Sequence, residues 1–203
     1  PLADDVREDL VIMKQNSDRL LNLINQLLDF RKTANNSFTL ILSECDIQEI
    51  VYGVYIRFTS LARQKDIKLS IDLPSEKISA AVDREALIKI ISNLLSNAVK
   101  FATTYITITV KCNASSFIIK VCNDGSVIPI HMREEIFQPF VQVQNNEKYA
   151  SGTGLGLALA RSLAELHHGT LCLENMEGAN CFALEIPVSH VEEAQELQKN
   201  VLE

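Results

Sequence analysis

Val6, Leu10, Met13, Ser17, Leu20, Ile24 and Leu27 step along the chain by alternating four and three. That spacing predicts one long helix from about residue 4 to residue 34, with the heptad seam of a coiled coil or helical bundle. Leu21 and Leu28 widen the stripe on one side, which suits a four-helix bundle better than a two-stranded zipper. A single helix cannot bury such a stripe, so the pattern calls for a partner helix that the rest of the sequence does not supply. The polar stretch Thr33 to Ser37 reads as a linker.

Beyond the linker the period changes repeatedly. Phe38 to Ser43 reads as a strand, Ile47 to Gln64 as a helix and Ile67 to Leu73 as a strand. From Asp83 to Phe101 the pattern is strongly helical, with Leu87, Ile90, Ile91, Leu94, Leu95 and Ala98 on one face. YITITVKC alternates cleanly, placing Ile106, Ile108, Val110 and Cys112 on one side, and FIIKVCN does the same. Asp124 to Ser151 is long and mostly polar, broken only by the apolar IFQPF; that length points to a functional lid. Gly154 to His167 is a helix, TLCLEN and NCFALEIP are a closing hairpin, and Val191 to Glu203 is a charged tail. Strict strand–helix–strand alternation is missing. The expected fold is therefore α+β: a two-layer sandwich, a mixed and mostly antiparallel sheet with helices on one face, preceded by one long bundle helix. The domain expectation is 1–36 for the bundle helix and linker, 37–190 for the sandwich and 191–203 for the tail.

Bulk composition narrows the picture only a little. A chain of 203 residues holds one full core plus a helical appendage. Its net charge of −7 argues against a duplex nucleic-acid binder, which presents a basic face. No apolar run reaches the roughly 20 residues of a membrane span, so the region is expected to be cytoplasmic. Five cysteines (Cys45, Cys112, Cys122, Cys172 and Cys181) show no CxxC spacing, and four lie in strand patterns. They read as buried, reduced thiols without a function.

Candidate chemistry concentrates in SGTGLGLALARSLAELHHG, three glycines in five residues leading into a helix. Amides at a helix start favour an anion. A P-loop would carry Lys followed by Ser or Thr after its last glycine, but Gly156 is followed by Leu157. A dinucleotide fingerprint needs GxGxxG after a buried strand; this is GxGxG after the polar VQNNEKYAS. A loop of bare amides near phosphate remains, alongside a lid hinge with no ligand. In NLLSNAVKF, Asn93, Asn97 and Lys100 form one polar stripe of a helix whose apolar residues face elsewhere. Asn is a poor helix former, so two of them invite a reason beyond solvation. A carboxamide oxygen suits a hard cation such as Mg²⁺, and Lys100 suits a phosphate.

Taken together and in this order, NLLSNAVKF, NDGSVIP, IFQPF and GTGLGLALARSLAELHHG resemble the successive boxes of the ATP-binding domain of sensor histidine kinases, within the Bergerat-fold superfamily. The resemblance runs from about Phe38 to Val188, and NLINQLLDFRK before it resembles the second helix of the dimerisation and phosphotransfer domain. The flavour of the boxes is closest to hybrid two-component sensors. The resemblance implies that Asn97 ligates the Mg²⁺ bridging the ATP phosphates, with Asn93 one turn earlier at the same triphosphate. It places Lys100 on phosphate and Phe101 near adenine. Gly152, Thr153, Gly154, Leu155, Gly156 and Leu157 close the lid over the phosphates. The lid, Ile128 to Ala150, is anchored by Phe137 and Phe140, with Lys148 a mobile phosphate contact. The family's D-x-G-x-G departs here: its adenine-reading aspartate is matched by Asn123, followed by Asp124 and Gly125, and its second glycine by Val127. The base is therefore read by Asn123, or by Asp124 in a shifted register.

Hydrolases of the superfamily carry a glutamate at the position of Asn93, and an amide cannot act as a general base. This favours a kinase over an ATPase. A nucleotide-binding scaffold that never transfers phosphate is the alternative that Asn123 and Val127 support. The resemblance puts the phospho-accepting histidine on the first bundle helix, before an acidic residue. All four histidines here (131, 167, 168 and 190) lie beyond the long helix, and none precedes Asp or Glu. They read as surface or helix-capping residues, and Arg161 with Glu165 as surface support. The chain is thus expected to bind Mg-ATP without phosphorylating itself. Its expected partners are that histidine helix, a response-regulator receiver domain and a second copy in a homodimer, with the longer protein attached to the inner membrane.

Overall fold

The computed structural model describes residues 2–34, 38–142, 153–174 and 176–188. Helix α1 (Leu2–Ala34) leads into strand β1 (Ser43–Asp46) and helix α2 (Ile47–Gln64). Strands β2 (Lys68–Asp72) and β3 (Ser79–Val82) precede helix α3 (Arg84–Phe101). Strands β4 (Tyr105–Cys112) and β5 (Ser116–Asn123) form a hairpin. Two 3-10 turns, Ile130–Met132 and Glu135–Phe137, come before helix α4 (Gly156–Leu166), and β6 (Thr170–Glu174) and β7 (Asn180–Pro187) close the chain.

The main sheet has five strands in the order β2-β4-β5-β7-β6, with β2 and β4 parallel and every other pair antiparallel. β1 and β3 form a separate antiparallel pair. The fold is the expected α+β sandwich. Two strand details differ from the sequence reading. The first strand falls at Ser43–Asp46 rather than Phe38–Ser43, and Ser79–Val82 is a strand that the pattern did not announce. Ser79–Val82 is short and almost wholly buried, so its apolar run does not alternate and carries no period-2 signal.

Local chemistry starts and stops the helices that matter. Asp46 caps α2, accepting from the Glu49 amide at 3.0 Å, and Asp83 caps α3, accepting from the Ala86 amide at 3.0 Å. The second Asp83 oxygen accepts from the Ile41 amide, tying the segment before β1 to the start of α3. α4 ends with His168 in the left-handed region (φ 56°), and the Gly169 amide reaches back to the Ala164 carbonyl at 2.9 Å. Leu87, Ile90, Ile91, Leu94 and Leu95 of α3 are fully buried, as are Phe117, Ile119 and Val121 on the facing side of β5. This shared layer fixes how the polar ridge of α3 stands over the end of β5.

Helix α1 lies against the sandwich near its C-terminal end. Asp29 pairs with Lys89 of α3 at 2.7 Å, and Thr33 is buried. Its heptad stripe stays bare: Leu10, Met13, Leu20, Ile24, Leu27 and Leu28 are all exposed. No described helix is long and apolar enough to cross a membrane.

The cysteines correct the sequence reading. Cys122 of β5 and Cys181 of β7 are direct cross-strand partners and are joined by a disulfide, while Cys112 and Cys172 are exposed. Only Cys45 is a buried free thiol. Sequence spacing could not reveal the pair, because the two cysteines are 59 residues apart and meet only through strand register.

Candidate nucleotide site

Three of the sequence motifs meet along the polar ridge of α3. Asn93 and Asn97, both half-buried, are four residues apart, so they sit one above the other on the helix surface. At the Asn93 end lies the glycine turn: a methyl group at Gly156 would stand 3.1 Å from Asn93 Oδ1. At the other end, a methyl group at Gly125 would be only 2.1 Å from the Phe101 carbonyl oxygen. Only glycine permits that approach. Between Asn93 and Phe101 the ridge runs roughly 12 Å, at 1.5 Å per residue. Lys100 lies over the half-exposed ring of Phe101, 4.7 Å from its centroid.

The start of α4 is built to leave amides open. No side chain caps this helix at Leu155. The first-turn amides of an α-helix have no intrahelical partner and carry the positive end of the helix dipole. Thr153 Oγ1 accepts from the Leu155 amide at 3.1 Å, so that amide is already engaged. The Leu155 side chain is buried and Leu157 packs on the core, leaving backbone as their only polar offering. Gly154 has φ 70°, and its carbonyl accepts from the Phe140 amide at 2.9 Å. Gly152 and Lys148 lie outside the described residues.

At the far end, Asn123 and Asp124 have opposite situations. Asp124 accepts from the Thr103, Thr104 and Tyr105 amides and from the Thr104 hydroxyl. Burial alone would raise its pKa, but these hydrogen bonds together hold the carboxyl well below the usual carboxylate range. Asn123 is only 3% exposed, and its Nδ2 has no hydrogen-bond partner among the described residues.

Asn180 escaped the sequence reading, and Arg161 entered it only as surface support. Asn180 faces Asn123 across the β5–β7 ladder. Its Oδ1 accepts from the Ile128 amide and its Nδ2 donates to the Ser126 carbonyl, both at 2.9 Å. It therefore pins the loop after Gly125, where Val127 stands exposed. An asparagine opening a strand was the available signal. Arg161 does more than support a surface: its guanidinium lies 4.8 Å from the Phe137 ring centroid and pairs with Glu134 at 2.8 Å, besides reaching Glu165. Phe137 is buried and meets Phe182 edge-on, as expected of an anchor. Phe140 is 66% exposed, so its side chain anchors nothing; its backbone, at φ 65°, makes the contact instead.

The histidines divide. His131 is exposed and His168 ends α4. His167 stands at the C-cap of α4, its amide donating to the Ala164 carbonyl, but it is not a surface group. It is buried, with Nδ1 donating to the Leu163 carbonyl at 2.7 Å and Nε2 accepting from the Asp83 amide at 3.1 Å. Burial pushes its pKa down, against the opposing pull of the Leu163 carbonyl and Asp83. One further contact joins the site to α1: Thr153 Oγ1 donates to Gln26 Oε1 at 3.0 Å.

Comparison with known proteins follows the same lines. Residues 82–190 match the family described as histidine kinase-, DNA gyrase B-, and HSP90-like ATPase. The chain is 34% identical over 196 residues to hybrid signal transduction histidine kinase D of Dictyostelium discoideum, an alignment covering 91% of this chain and 12% of that protein. It spans 15% and 19% of the length of two other curated relatives. The crystal structure of full-length ShkA in complex with AMPPNP superposes with TM-score 0.80 at 24% identity, a likeness of fold, covering 91% of this chain and 39% of that one. The histidine kinase ThkA in complex with response regulator protein TrrA superposes with TM-score 0.70 at 25% identity, covering 88% of this chain and 50% of that one.

Proposed function

The chain belongs to the histidine kinase-, DNA gyrase B-, and HSP90-like ATPase family, as the catalytic ATP-binding domain of a sensor histidine kinase, and from that premise we propose that it binds Mg-ATP along the α3 ridge. In the longer protein the domain presents the γ-phosphoryl group to a histidine on the dimerisation helices, for passage to a response-regulator receiver domain. The hybrid type is part of this proposal, in line with the Dictyostelium relative. So is the division into 1–36 for dimerisation, 37–190 for catalysis and 191–203 for the tail.

The observation that carries the reading is the pairing of Asn93 with Gly156 at the uncapped start of α4. It sets a carboxamide, with no capacity to deprotonate water, beside amides that attract phosphate. A site so built holds a triphosphate without hydrolysing it, and catalysis of phosphoryl transfer is mainly positioning and charge neutralisation. Asn97 offers one hard oxygen one turn along. Mg²⁺ takes one or two protein oxygens and completes its shell with phosphate and water, so the donor fits. When bound, the ion neutralises phosphate charge; Lys100 supplies a second cation on the same ridge. Phe101 offers a flat apolar face for the base. Because the Asp124 carboxylate is already saturated by four donors, Asn123 is the base-reading residue. The bare heptad stripe of α1 supports homodimerisation of the longer protein.

Calorimetry on this chain tests the site. Mg-ATP binds, and Asn97→Ala weakens it by at least about tenfold, the scale of one lost charge-assisted contact. Unchanged affinity would remove Asn97 from the metal site. Labelled ATP supplied to the longer protein tests the chemistry: label on histidine supports a kinase, free phosphate an ATPase. No transfer at all would favour the scaffold reading that Asn123 and Val127 raise.

A further inference from the structure

Asn123 sits at the base end of the ridge, only 3% exposed, and its buried Nδ2 has no partner among the described residues. A buried donor without an acceptor is costly, and few such groups persist in folded proteins. Gly125 keeps the space beside it open, since a methyl group there would come within 2.8 Å of Nδ2. The neighbouring Asn180 does not take the proton: its Oδ1 accepts from the Ile128 amide and its Nδ2 donates to the Ser126 carbonyl. An acceptor on a molecule bound at the site would satisfy the Asn123 Nδ2.

We infer that Asn123 reads the base through both carboxamide atoms, and that the site accepts 6-oxopurine as well as 6-aminopurine nucleotides. The inference rests on the nucleotide reading of the same site. Adenine presents a donor, its 6-amino group, beside an acceptor, N1. A carboxamide matches that edge with Oδ1 accepting and Nδ2 donating. Hypoxanthine presents the reverse, an acceptor at O6 beside a donor at N1. Turning the amide by 180° about its last torsion exchanges its oxygen and nitrogen and restores both hydrogen bonds. A carboxylate at this position has acceptors only. One of its oxygens accepts from the adenine amino group or from hypoxanthine N1–H while the other opposes adenine N1 or hypoxanthine O6, so an aspartate here loses one hydrogen bond with either base.

Mg-ATP and Mg-ITP titrated calorimetrically into this chain, and into Asn123→Asp and Asn123→Ala, provide the test. The expected results are Kd values for ATP and ITP within about fivefold of each other in the unchanged chain, and both nucleotides at least about tenfold weaker in Asn123→Asp, the cost of a lost bidentate base contact. Asn123→Ala weakens both nucleotides together. ATP binding with ITP more than about twentyfold weaker in the unchanged chain would overturn the inference and leave the ATP site standing. An Asn123→Asp variant that folds, by circular dichroism, yet binds both nucleotides as tightly as the unchanged chain would overturn it as well. Binding of neither nucleotide would overturn the underlying site reading and this inference with it. Should either variant fail to fold, the ratio in the unchanged chain decides by itself.

Discussion

His167 shows how much one side chain can be asked to do. It accepts from the amide of Asp83, the residue that caps α3, while donating to Leu163 within α4. The ring is therefore neutral in the fold, and its depressed pKa, caused chiefly by burial, follows. The unfolded chain binds a proton near the ordinary value of 6.5 and the folded one only lower. The unfolded state thus binds more protons in that interval, and stability falls as pH drops below about 6.5. His167→Gln keeps a polar side chain of similar reach without the titration. Urea unfolding should show it about 1–2 kcal/mol less stable than the unchanged chain at pH 7, from the disturbed buried hydrogen bond. It should lose less stability than the unchanged chain between pH 7 and pH 5. An equal loss in both would take His167 out of the acid response. None of this could be read from HHG in the sequence, where two adjacent histidines look alike. Helix phase buries one, and the left-handed turn exposes the other.

Among elements, the start of β4 depends most visibly on a single residue. Asp124 follows β5 and returns to hold three successive amides at 103–105. This locks the end of β5 beside the end of α3, where Phe101 meets Gly125. Asp124→Ala frees all of these donors. Because they lie near solvent and water can replace the carboxylate, the expected loss in thermal unfolding is modest, about 1 kcal/mol. The loss of nucleotide affinity should exceed what that small destabilisation explains, since the base end of the ridge is set by the same contacts. The carboxylate contributes above its ordinary pKa of 3.8, and the contribution fades as pH falls through its lower folded value, so the variant and the unchanged chain converge only in strong acid. The helices and most of the strands were legible in the sequence because their apolar residues keep a clean period. β3 was not, being four residues long and buried, and β1 was displaced because its polar residues carry no alternation.

At the scale of the molecule, α1 packs on α4 and makes polar contacts with the sandwich through Asp29 with Lys89 and Gln26 with Thr153. Both partners of the ion pair retain some solvent exposure, and pairs of that kind are worth about 0.2–1 kcal/mol. A double-mutant cycle of Asp29→Ala and Lys89→Ala, followed by thermal unfolding, should return a coupling inside that range. A coupling of several kcal/mol would mean that the helix is an integral part of the core. The Gln26 contact reaches Thr153, whose hydroxyl also accepts from the Leu155 amide in the glycine turn, so one hydrogen-bonded residue joins α1 to the start of α4.

The sequence by itself determined most of the elements, the layer architecture, the polar ridge on α3, the exclusion of two commoner phosphate loops and, through the family its motifs resemble, the amides at Asn93 and Asn123 where carboxylates are usual. All of these are local: they depend on residue type and on spacing within one helix, strand or turn. Only the tertiary structure decided which of Asn123 and Asp124 was left without a partner, that Asn180 pins the loop from 52 residues away, that Cys122 meets Cys181, and that His167 is buried. Each of these depends on strand register or on the packing of α3, α4 and the sheet. Such contacts join residues far apart in the chain, and no periodicity along the sequence encodes them.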